Sequence, residues 1–345
     1  MTLDKHSHIR TVVNKTDQID DTFRFFKMEV LAGDDDMTTT VKENGCTFTF
    51  DFSKVYWNSR LHTEHERLIK ELKKKDVVLD VFAGVGPFSI PAAKKGCLVH
   101  ANDLNPHSYE ALCVNAEKNS VTHKLKAYNL DGREFIQTII HELLAQQPPS
   151  KELNAFTEHK THVIMNLPAT AVQFLDTFRG LFSCVPSNHH NSIQLPTIYC
   201  YCFSKSEDAP DKDALQMVQR SLGVSSLRAG TYSTYTVRSV APNKVMMRVT
   251  FELPPEVAFF EKSRKDGSSQ LPPPSSDKTD TDVCLGTPEL EDGSSLTCDM
   301  SDIDQACTHN SCNSNAGRRC VNISELETGT CSSEVKGHSE GEGQW

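Results

Sequence analysis

The chain has 345 residues and a formal net charge of −10 at pH 7, of which −8 falls between Lys262 and Trp345, where seven Lys or Arg face fifteen Asp or Glu. The first 261 residues therefore carry only −2, so the acidic total does not exclude a nucleic-acid partner for them. The twelve cysteines include no CxxC pair, which favours reduced thiols over a disulfide framework or a zinc site, and no apolar run reaches the roughly 18 residues of a membrane span.

The first sixty residues predict part of a β-rich segment. Ile9, Val12 and Val13 are the only apolar cluster of a polar start. Residues Asp21–Val30 have the aromatic and β-branched content of a strand, and Thr38–Phe52 alternate apolar and polar residues as a hairpin does. This stretch is shorter than a free domain needs, so it either packs on the next part of the chain or lacks a preceding part.

Strands and helices then alternate along the chain. A helix is predicted from Thr63, where Thr63 and Glu66 fit a capping box. Further strands are predicted at Val77–Val81, Leu98–Asp103, Lys124–Leu130, Thr161–Asn166 and Thr197–Phe203, and further helices at His107–Asn119, Arg133–Ala145, Ala171–Cys184 and Lys212–Leu222. This order predicts an α/β fold with a mostly parallel, doubly wound sheet.

The end of the body and the tail differ in composition. Runs at Thr231–Val240 and Val245–Leu253 look like an antiparallel hairpin that closes one edge of the sheet. Ser, Asp, Thr, Gly and Pro dominate residues 263–345. We expect this acidic tail to be disordered, because it has too few apolar residues to build a core.

A glycine-containing turn comes after the first strand of the predicted sheet. Asp80 lies in that strand, and Gly84 and Gly86 allow a tight turn whose N–H groups can approach a ligand. Asp103 ends the next strand, 23 residues after Asp80, where an acid suits a ribose diol. Because the turn has no third glycine, the pattern favours S-adenosylmethionine over NAD.

Two later strand ends carry further candidate ligand residues. Asp131 and Gly132 come after the third strand, where the acid can accept an adenine amino group and the glycine leaves room for the ring. An ordinary strand-to-helix turn explains this pair equally well. Asn166-Leu167-Pro168 lies at the end of the fourth strand, where an amide side chain and free carbonyls could hold a base or the methionine part of the cofactor. Position is the main argument for this tripeptide, which is common.

Glu64, His65 and Arg24 have no other assigned task, although each has an ordinary explanation. A glutamate in a first helical turn is expected for the helix dipole alone. His65 could be an exposed residue of the same turn, and Arg24 a surface ion-pair partner on its strand. These three residues become candidates only because they precede the strand of the glycine turn without another assigned task.

Five ordered blocks resemble the eukaryotic and archaeal tRNA (guanine-37-N1)-methyltransferases. They are Phe23–Gly33, Phe52–Leu61, Asp80–Phe88, Asn166–Pro168 and Val237–Lys244. The resemblance implies a Rossmann-like class I methyltransferase domain at residues 61–262, preceded by part of a β-rich tRNA-positioning segment at 1–60 and followed by the tail at 263–345. That family also has an N-terminal domain for the tRNA elbow, and the resemblance begins after it.

The resemblance also implies roles for individual residues. S-adenosylmethionine would be held by His65, Asp103, Leu104, Asp131, Gly132 and Asn166, beside Asp80, Gly84 and Gly86. Glu64 would be the general base and Arg24 the partner of guanine O6, with Asn166 and Pro168 completing the catalytic set. Guanine N1 must lose its proton before it can accept a methyl group, which matches a carboxylate beside an arginine and requires no metal.

The partner that the resemblance implies is the anticodon stem-loop of a tRNA with G37. We expect the protein to bind it as a monomer and to have no membrane partner. We expect the protein in the cytoplasm, the nucleus or the mitochondrial matrix, and we expect no secretory signal or presequence at the start of this chain. Two alternatives stay open. The wybutosine-pathway transferase moves the aminocarboxypropyl arm of the same cofactor, although Glu64 and Asn166-Leu167-Pro168 favour methyl transfer. A non-catalytic fragment that binds cofactor or RNA is the other.

Overall fold

The computed structural model of the protein describes residues 5–6, 9–16, 28–145, 159–261 and 319–322. All of these described residues belong to one compact unit, and residues 263–316 lie outside them. The predicted boundaries at residues 60 and 262 stay predictions.

In the central part of the chain, the strands and helices follow the predicted order, with a 3₁₀ helix in place of the predicted helix Ala171–Cys184. The strands are β1 (Ile9–Lys15), β2 (Met28–Gly33), β3 (Thr38–Glu43), β4 (Cys46–Asp51), β5 (Val77–Asp80), β6 (Leu98–Asn102), β7 (Leu125–Tyr128), β8 (Thr161–Met165), β9 (Thr197–Ser204), β10 (Tyr232–Ala241), β11 (Lys244–Glu252) and β12 (Arg319–Asn322). The α-helices are α1 (His62–Glu71), α2 (Ser89–Lys95), α3 (Pro106–Lys118), α4 (Gly132–Ala145), α5 (Pro210–Leu222) and α6 (Pro255–Ala258), and 3₁₀ helices lie at Ser59–Leu61, Ala171–Phe178 and Ser187–Ser192.

A seven-stranded sheet forms the centre of the protein, in the order β10-β11-β9-β8-β5-β6-β7. The strands from β9 to β7 in this order are parallel, and β11 runs antiparallel between β9 and β10. The predicted doubly wound sheet with an edge hairpin is therefore confirmed. Strand order reverses at β5, between β6 and β8, and such a switch point is where open α/β sheets bind ligands.

Both faces of this sheet are covered, and β5 shows why. Val77 and Leu79 belong to one buried cluster and Val78 to the other, because successive side chains of a strand point to opposite faces. Helices α4 and α5 and the 3₁₀ helix Ala171–Phe178 cover the first face. Helices α1, α2 and α3 and the β3–β4 hairpin cover the second. Such double coverage explains the nearly continuous apolar runs of the parallel strands.

The β3–β4 hairpin is fixed at its turn and along its outer edge. Asn44 and Gly45 have φ values of 49° and 70°, the positive pair that a two-residue type I′ turn requires. Along the outer edge, Asn119 accepts a hydrogen bond from Thr47 N at 3.0 Å and donates to Thr47 O at 2.8 Å. Asn115 accepts from Thr49 N at 2.8 Å. Both amides belong to α3 or its end, so the hairpin is hydrogen-bonded to the helical layer.

A second small sheet has the order β12-β1-β2. β1 is antiparallel to β2 and parallel to β12, and it buries Ile9, Val12 and Val13. Neither β1 nor β12 is among the predicted strands. Most of the predicted tail lies outside the described residues, as does the first part of the strand predicted at Asp21–Val30. Within the described ranges, no helix is long and apolar enough to cross a membrane.

The predicted capping box at Thr63 is wrong. Asn58 instead caps the 3₁₀ turn Ser59–Leu61, which leads directly into α1. Thr63 therefore lies inside the first turn of α1, and Glu66 forms an ion pair with Lys70 at 2.8 Å rather than reaching back. The start signal lies one turn earlier than the capping pattern indicates.

The predicted helix Ala171–Cys184 is also wrong, because only a 3₁₀ helix, Ala171–Phe178, forms there. The backbone N–H groups of Gly180 and Phe182 donate to carbonyls of α6, at 2.8 and 2.9 Å. These tertiary hydrogen bonds replace the ones that a continuing helix would make.

Candidate active site at the carboxyl edge of the sheet

The carboxyl ends of four parallel strands meet at one edge of the central sheet. Asp80 ends β5 and pairs in register with Ala101 of β6. Asp103, Asp131 and Asn166 come after β6, β7 and β8. The structure thus brings together four polar residues that the sequence marks as candidates, at the switch point of the sheet.

The turn after β5 leaves open space at one of its two glycines. Gly84 and Gly86 have φ values of 55° and 99°, which favour glycine. A Cβ at Gly86 would lie 2.7 Å from Ile90 Cγ1 and 2.8 Å from Leu112 Cδ1, so this glycine serves packing. A Cβ at Gly84 would have no heavy atom of the described chain within 4 Å. A ligand can therefore approach the backbone at Gly84.

Asp103 is held against this turn by backbone N–H groups. Its Oδ2 accepts from Gly84 N at 2.8 Å, and its Oδ1 accepts from Asn105 N at 2.9 Å. Burial raises the pKa of Asp103 to about 6, although both hydrogen bonds favour the charged form. The next side chain, Leu104, is 47% exposed. Asp103 is thus a fixed carboxylate beside an open glycine, with an exposed apolar side chain next to it.

Asp80 lies behind the same turn and is fully buried. Ser89 Oγ donates to its Oδ2 at 2.6 Å, while Oδ1 has no hydrogen-bond partner among the described residues. Burial raises the pKa of Asp80 to about 7; the Ser89 hydrogen bond opposes this shift and the nearby charge of Asp103 adds to it. Two carboxyl groups with raised pKa values at one turn favour a ligand that carries positive charge.

Asp131 and Gly132 form the start of α4. Asp131 is exposed and accepts from Arg133 N at 2.8 Å, as an N-cap does. A Cβ at Gly132 would lie 3.0 Å from Phe82 Cε1 and 3.1 Å from Phe174 Cε1. Gly132 therefore allows these two aromatic rings, 5.0 Å apart and edge to face, to pack at the start of the helix. The cap and packing explain the pair structurally, and their predicted adenine contact stays a prediction.

Asn166-Leu167-Pro168 forms a turn at the end of β8. Leu167 O accepts from Thr170 N at 2.9 Å, and Pro168 O accepts from Phe203 N at 3.2 Å. The Asn166 Oδ1 atom is buried and lacks a partner within the part of the chain that the structure describes. A buried amide oxygen without a donor is costly unless a ligand supplies one, so Asn166 fits a ligand-binding role.

Asn102 is a residue of this edge that the sequence analysis does not single out. Its Nδ2 donates to Val81 O at 3.1 Å and to Leu130 O at 3.0 Å, and its Oδ1 accepts from Leu130 N at 2.9 Å. The side chain thereby ties together the chain segments that leave β5, β6 and β7. The signal is an amide directly before Asp103 at the end of an apolar strand.

Glu64 and His65, in the first turn of α1, are both buried, with 3% of each exposed. Glu64 Oε1 accepts from Tyr201 Oη at 2.8 Å and from Arg248 Nη1 at 3.0 Å. His65 Nδ1 lies 2.6 Å from Glu43 Oε1 of β3. Neither residue is the exposed first-turn side chain that the sequence also allows.

The ring of Phe88 links these two residues to the glycine turn. It contacts the His65 ring edge to face, with centroids 4.7 Å apart, and lies 6.1 Å from the Tyr201 ring. Phe88 directly precedes α2, two residues after Gly86. Arg24 lies outside the described residues.

A surface groove lies apart from these residues. It has a volume of about 440 Å³, and none of the predicted site residues lines it. Its lining residues are Asn44, Glu66, Ile69, Lys70, Pro91, Lys94 and Lys95. Among the described residues, no group of three or more His, Cys, Asp or Glu side chains is placed to bind a metal ion.

Residues 39–186, which include the glycine turn and most of the carboxyl edge, match the TRM5/TYW2 methyltransferase domain family. This part of the chain is therefore similar to the TRM5/TYW2 methyltransferase domain family. The match runs from the β3–β4 hairpin to the residues after the 3₁₀ helix Ala171–Phe178. The strand β11, which supplies Arg248, lies beyond the matched residues.

Two proteins that are similar to this chain have the same name. A Mus musculus tRNA (guanine(37)-N(1))-methyltransferase is 46% identical over 288 residues, which are 84% of this chain and 56% of the relative. The Xenopus tropicalis protein of that name is 52% identical over 260 residues, 74% of this chain and 50% of the relative. The chain thus spans about half the length of these relatives.

Two solved structures agree with the observed fold. The crystal structure of Trm5b from Pyrococcus abyssi has a TM-score of 0.54 and 27% identity, and the match covers 73% of this chain and 66% of that one. The structure of aTrm5 with tRNALeu has a TM-score of 0.52 and 27% identity, over 71% of this chain and 61% of that one. The class I methyltransferase architecture is therefore shared with both.

Proposed function

We propose that the protein transfers a methyl group from S-adenosylmethionine to N1 of guanosine 37 in the anticodon loop of tRNA. The observation that carries this proposal is the 46–52% identity to proteins named tRNA (guanine(37)-N(1))-methyltransferase. The family match at residues 39–186 includes Asp80, Asp103, Asp131 and Asn166 of the carboxyl edge.

The carboxyl edge fits S-adenosylmethionine. The open backbone at Gly84 and the adjacent Asp103 suit a ribose with two hydroxyl groups. Asn166 Oδ1 is a buried acceptor that needs a donor, such as an amino group. The two carboxyl groups of Asp80 and Asp103 favour a positively charged ligand. When bound, S-adenosylmethionine supplies the methyl group from its sulfonium. The cofactor sulfur is then a neutral thioether, which is the leaving group.

The remaining chemistry belongs to the protein. Guanine N1 carries a proton at neutral pH, and it becomes a nucleophile only when a base removes that proton. Glu64 is the proposed base, because its buried Oε2 has no hydrogen-bond donor among the described residues. Arg24 is the proposed partner of O6, where negative charge grows as the proton leaves. The target guanine must leave its stack to reach this site, which costs little in a loop.

Methylation of unmodified tRNA transcripts by the full chain tests the proposal. Transcripts with G at position 37 should be methylated, and transcripts with A37 should not. Mass spectrometry of the product nucleoside distinguishes N1-methylguanosine from an aminocarboxypropyl product by the added mass. No transfer to any G37 transcript, with S-adenosylmethionine bound, would support the non-catalytic alternative and contradict the proposal.

Two substitutions test the assigned roles. Glu64→Gln should keep S-adenosylmethionine binding and slow single-turnover methyl transfer by roughly 10²–10⁴-fold. Arg24→Ala should lose a comparable factor through weaker stabilisation at O6. Raising the pH toward the pKa of guanine N1 should partly rescue Glu64→Gln, because solvent then removes the proton, and rescue Arg24→Ala less.

Glu66→Gln is the matched control on the same helix, since Glu66 is half exposed and pairs with Lys70. It should methylate at the unsubstituted rate. If Glu64→Gln does so too, Glu64 is not the base.

A further inference from the structure

The two oxygens of the Glu64 carboxylate have different surroundings. Oε1 accepts two hydrogen bonds, from Tyr201 Oη at 2.8 Å and Arg248 Nη1 at 3.0 Å. Oε2 is also buried and accepts none from the described residues. Arg67 Nε lies 3.5 Å from Oε2, an ion-pair distance without a hydrogen bond. One oxygen is thus fixed, and the other is left without a proton donor.

The two donors are themselves held in place by the sheet. Tyr201 on β9 and Arg248 on β11 are paired in register across adjacent strands. Arg248 also donates to Glu71 Oε1 at 2.7 Å through its Nη2, so its guanidinium spans two carboxylates of α1. Tyr201 is fully buried and Arg248 is 6% exposed. Neither side chain has room to adopt another position without disturbing the core.

The charge states of these donors are also fixed. Burial, together with the Glu64 carboxylate, raises the pKa of Tyr201 well above its usual value, so the phenol keeps its proton. Burial lowers the pKa of Arg248, but the neighbouring Glu64 and Glu71 carboxylates raise it on balance. Arg248 therefore stays positively charged, and both groups remain donors to Oε1.

We propose that Tyr201 and Arg248 are positioning residues for Glu64: they occupy Oε1 and so leave Oε2 as the oxygen that takes the N1 proton. This inference rests on the proposed function. The N1–H bond breaks as the Oε2–H bond forms, and the electron pair left on N1 takes the methyl group. The electron pair of the broken carbon–sulfur bond stays on sulfur. Arg67 is about half exposed and lies over the Tyr235 ring at 4.0 Å, so an entering base can displace it from Oε2.

Tyr201→Phe is the decisive variant, because it removes one hydroxyl and keeps the buried ring. With the full chain, S-adenosylmethionine and an unmodified G37 transcript, it should lower the single-turnover rate constant roughly 10- to 100-fold, the value of a hydrogen bond to a charged group. The half-saturating concentrations of tRNA and S-adenosylmethionine should change less than about twofold, because a positioning residue touches neither ligand.

Tyr199→Phe is the matched control. Tyr199 lies two residues earlier on β9, is also buried, and its hydroxyl bonds to His162 Nδ1 at 3.0 Å rather than to Glu64. It should lose a comparable hydrogen bond and some thermal stability while keeping the rate constant. A purely structural role for Tyr201 would make the two variants alike.

A double-mutant cycle with Glu64→Gln separates positioning from general damage. In the Glu64→Gln background, Tyr201→Phe should cause almost no additional loss, since the oxygen it positions no longer acts as a base. Arg248→Lys should retain more activity than Arg248→Met, which leaves the buried Glu64 carboxylate without the Arg248 cation and can prevent folding.

Two results would overturn the inference while the unsubstituted chain methylates G37: an unchanged rate in Tyr201→Phe, or a full multiplicative loss in the Glu64→Gln background. If the unsubstituted chain methylates no G37 transcript, the proposed function itself fails, and the inference fails with it.

Discussion

Replacing Asp80 by asparagine should stabilise the free protein at pH 8 and have a much smaller effect at pH 5. Asp80 is fully buried, receives one hydrogen bond from Ser89 and has an Oδ1 atom without a partner among the described residues. Its ionised form is therefore costly in the folded state. Asparagine keeps the acceptor for Ser89 and removes the charge.

The magnitude depends on the pKa of Asp80, which burial raises from 3.8 to about 7. The folded state binds the Asp80 proton more tightly than the unfolded state does. The free energy of unfolding therefore falls as the pH rises from 3.8 to about 7, and the loss is constant above that. Between pH 5 and pH 8 only about two pH units of this window are crossed, and each lowers the free energy of unfolding by about 1.4 kcal/mol. The asparagine variant should therefore gain about 3 kcal/mol relative to the unsubstituted protein over this interval.

Urea unfolding without ligand, followed by circular dichroism at pH 5 and pH 8, measures this difference. Ser89→Ala is the companion variant: loss of its hydrogen bond should raise the pKa of Asp80 further, so that stability continues to fall to higher pH. A difference between Asp80→Asn and the unsubstituted protein that is the same at both pH values would refute this reasoning.

Three further predictions concern the same edge. Asp103→Ala should weaken S-adenosylmethionine binding by roughly 1–3 kcal/mol in calorimetry, and unchanged affinity would exclude this anchor. Gly84→Ala should also weaken binding, and its φ of 55° should lower the melting temperature somewhat. Gly86→Ala should lower the melting temperature more, because its Cβ would also lie 2.7 Å from Ile90 Cγ1. Binding of a positively charged ligand should release protons near pH 6–7, because it favours the ionised forms of Asp80 and Asp103. Calorimetry in two buffers of different ionisation enthalpy measures this release, and the affinity should rise with pH across that range.

The sheet and its carboxyl edge could be predicted because local signals agree there. Apolar runs of four or five residues mark the buried parallel strands, and polar residues such as Asp103 and Asn166 come directly after them. The edge hairpin of β10 and β11 is likewise visible as two runs around a short turn. These features depend on neighbouring residues in the sequence.

The surroundings of Glu64 could not be predicted, since its partners are distant in the chain. Tyr201 is 137 residues away and Arg248 is 184 residues away. Tyr201 lies in an aromatic apolar strand, where the sequence pattern indicates only core packing. The helix predicted at Ala171–Cys184 failed for a related reason, because the hydrogen bonds to α6 that prevent it come from far along the chain.

The amide side chains beside β4 have a consequence for how the protein meets other chains. The outer edge of a hairpin normally offers free N–H and C=O groups to any passing strand. Here Asn119 hydrogen-bonds to the backbone N–H and C=O of Thr47, and Asn115 to the N–H of Thr49. A strand of a second molecule therefore cannot pair with this stretch of the edge. The amide protons of both threonines should accordingly exchange with solvent as slowly as those of an interior strand. Asn115 also donates to Val85 O in the glycine turn, at 3.1 Å. One amide side chain therefore protects the hairpin edge from pairing with another chain and connects the hairpin to the glycine turn at the carboxyl edge.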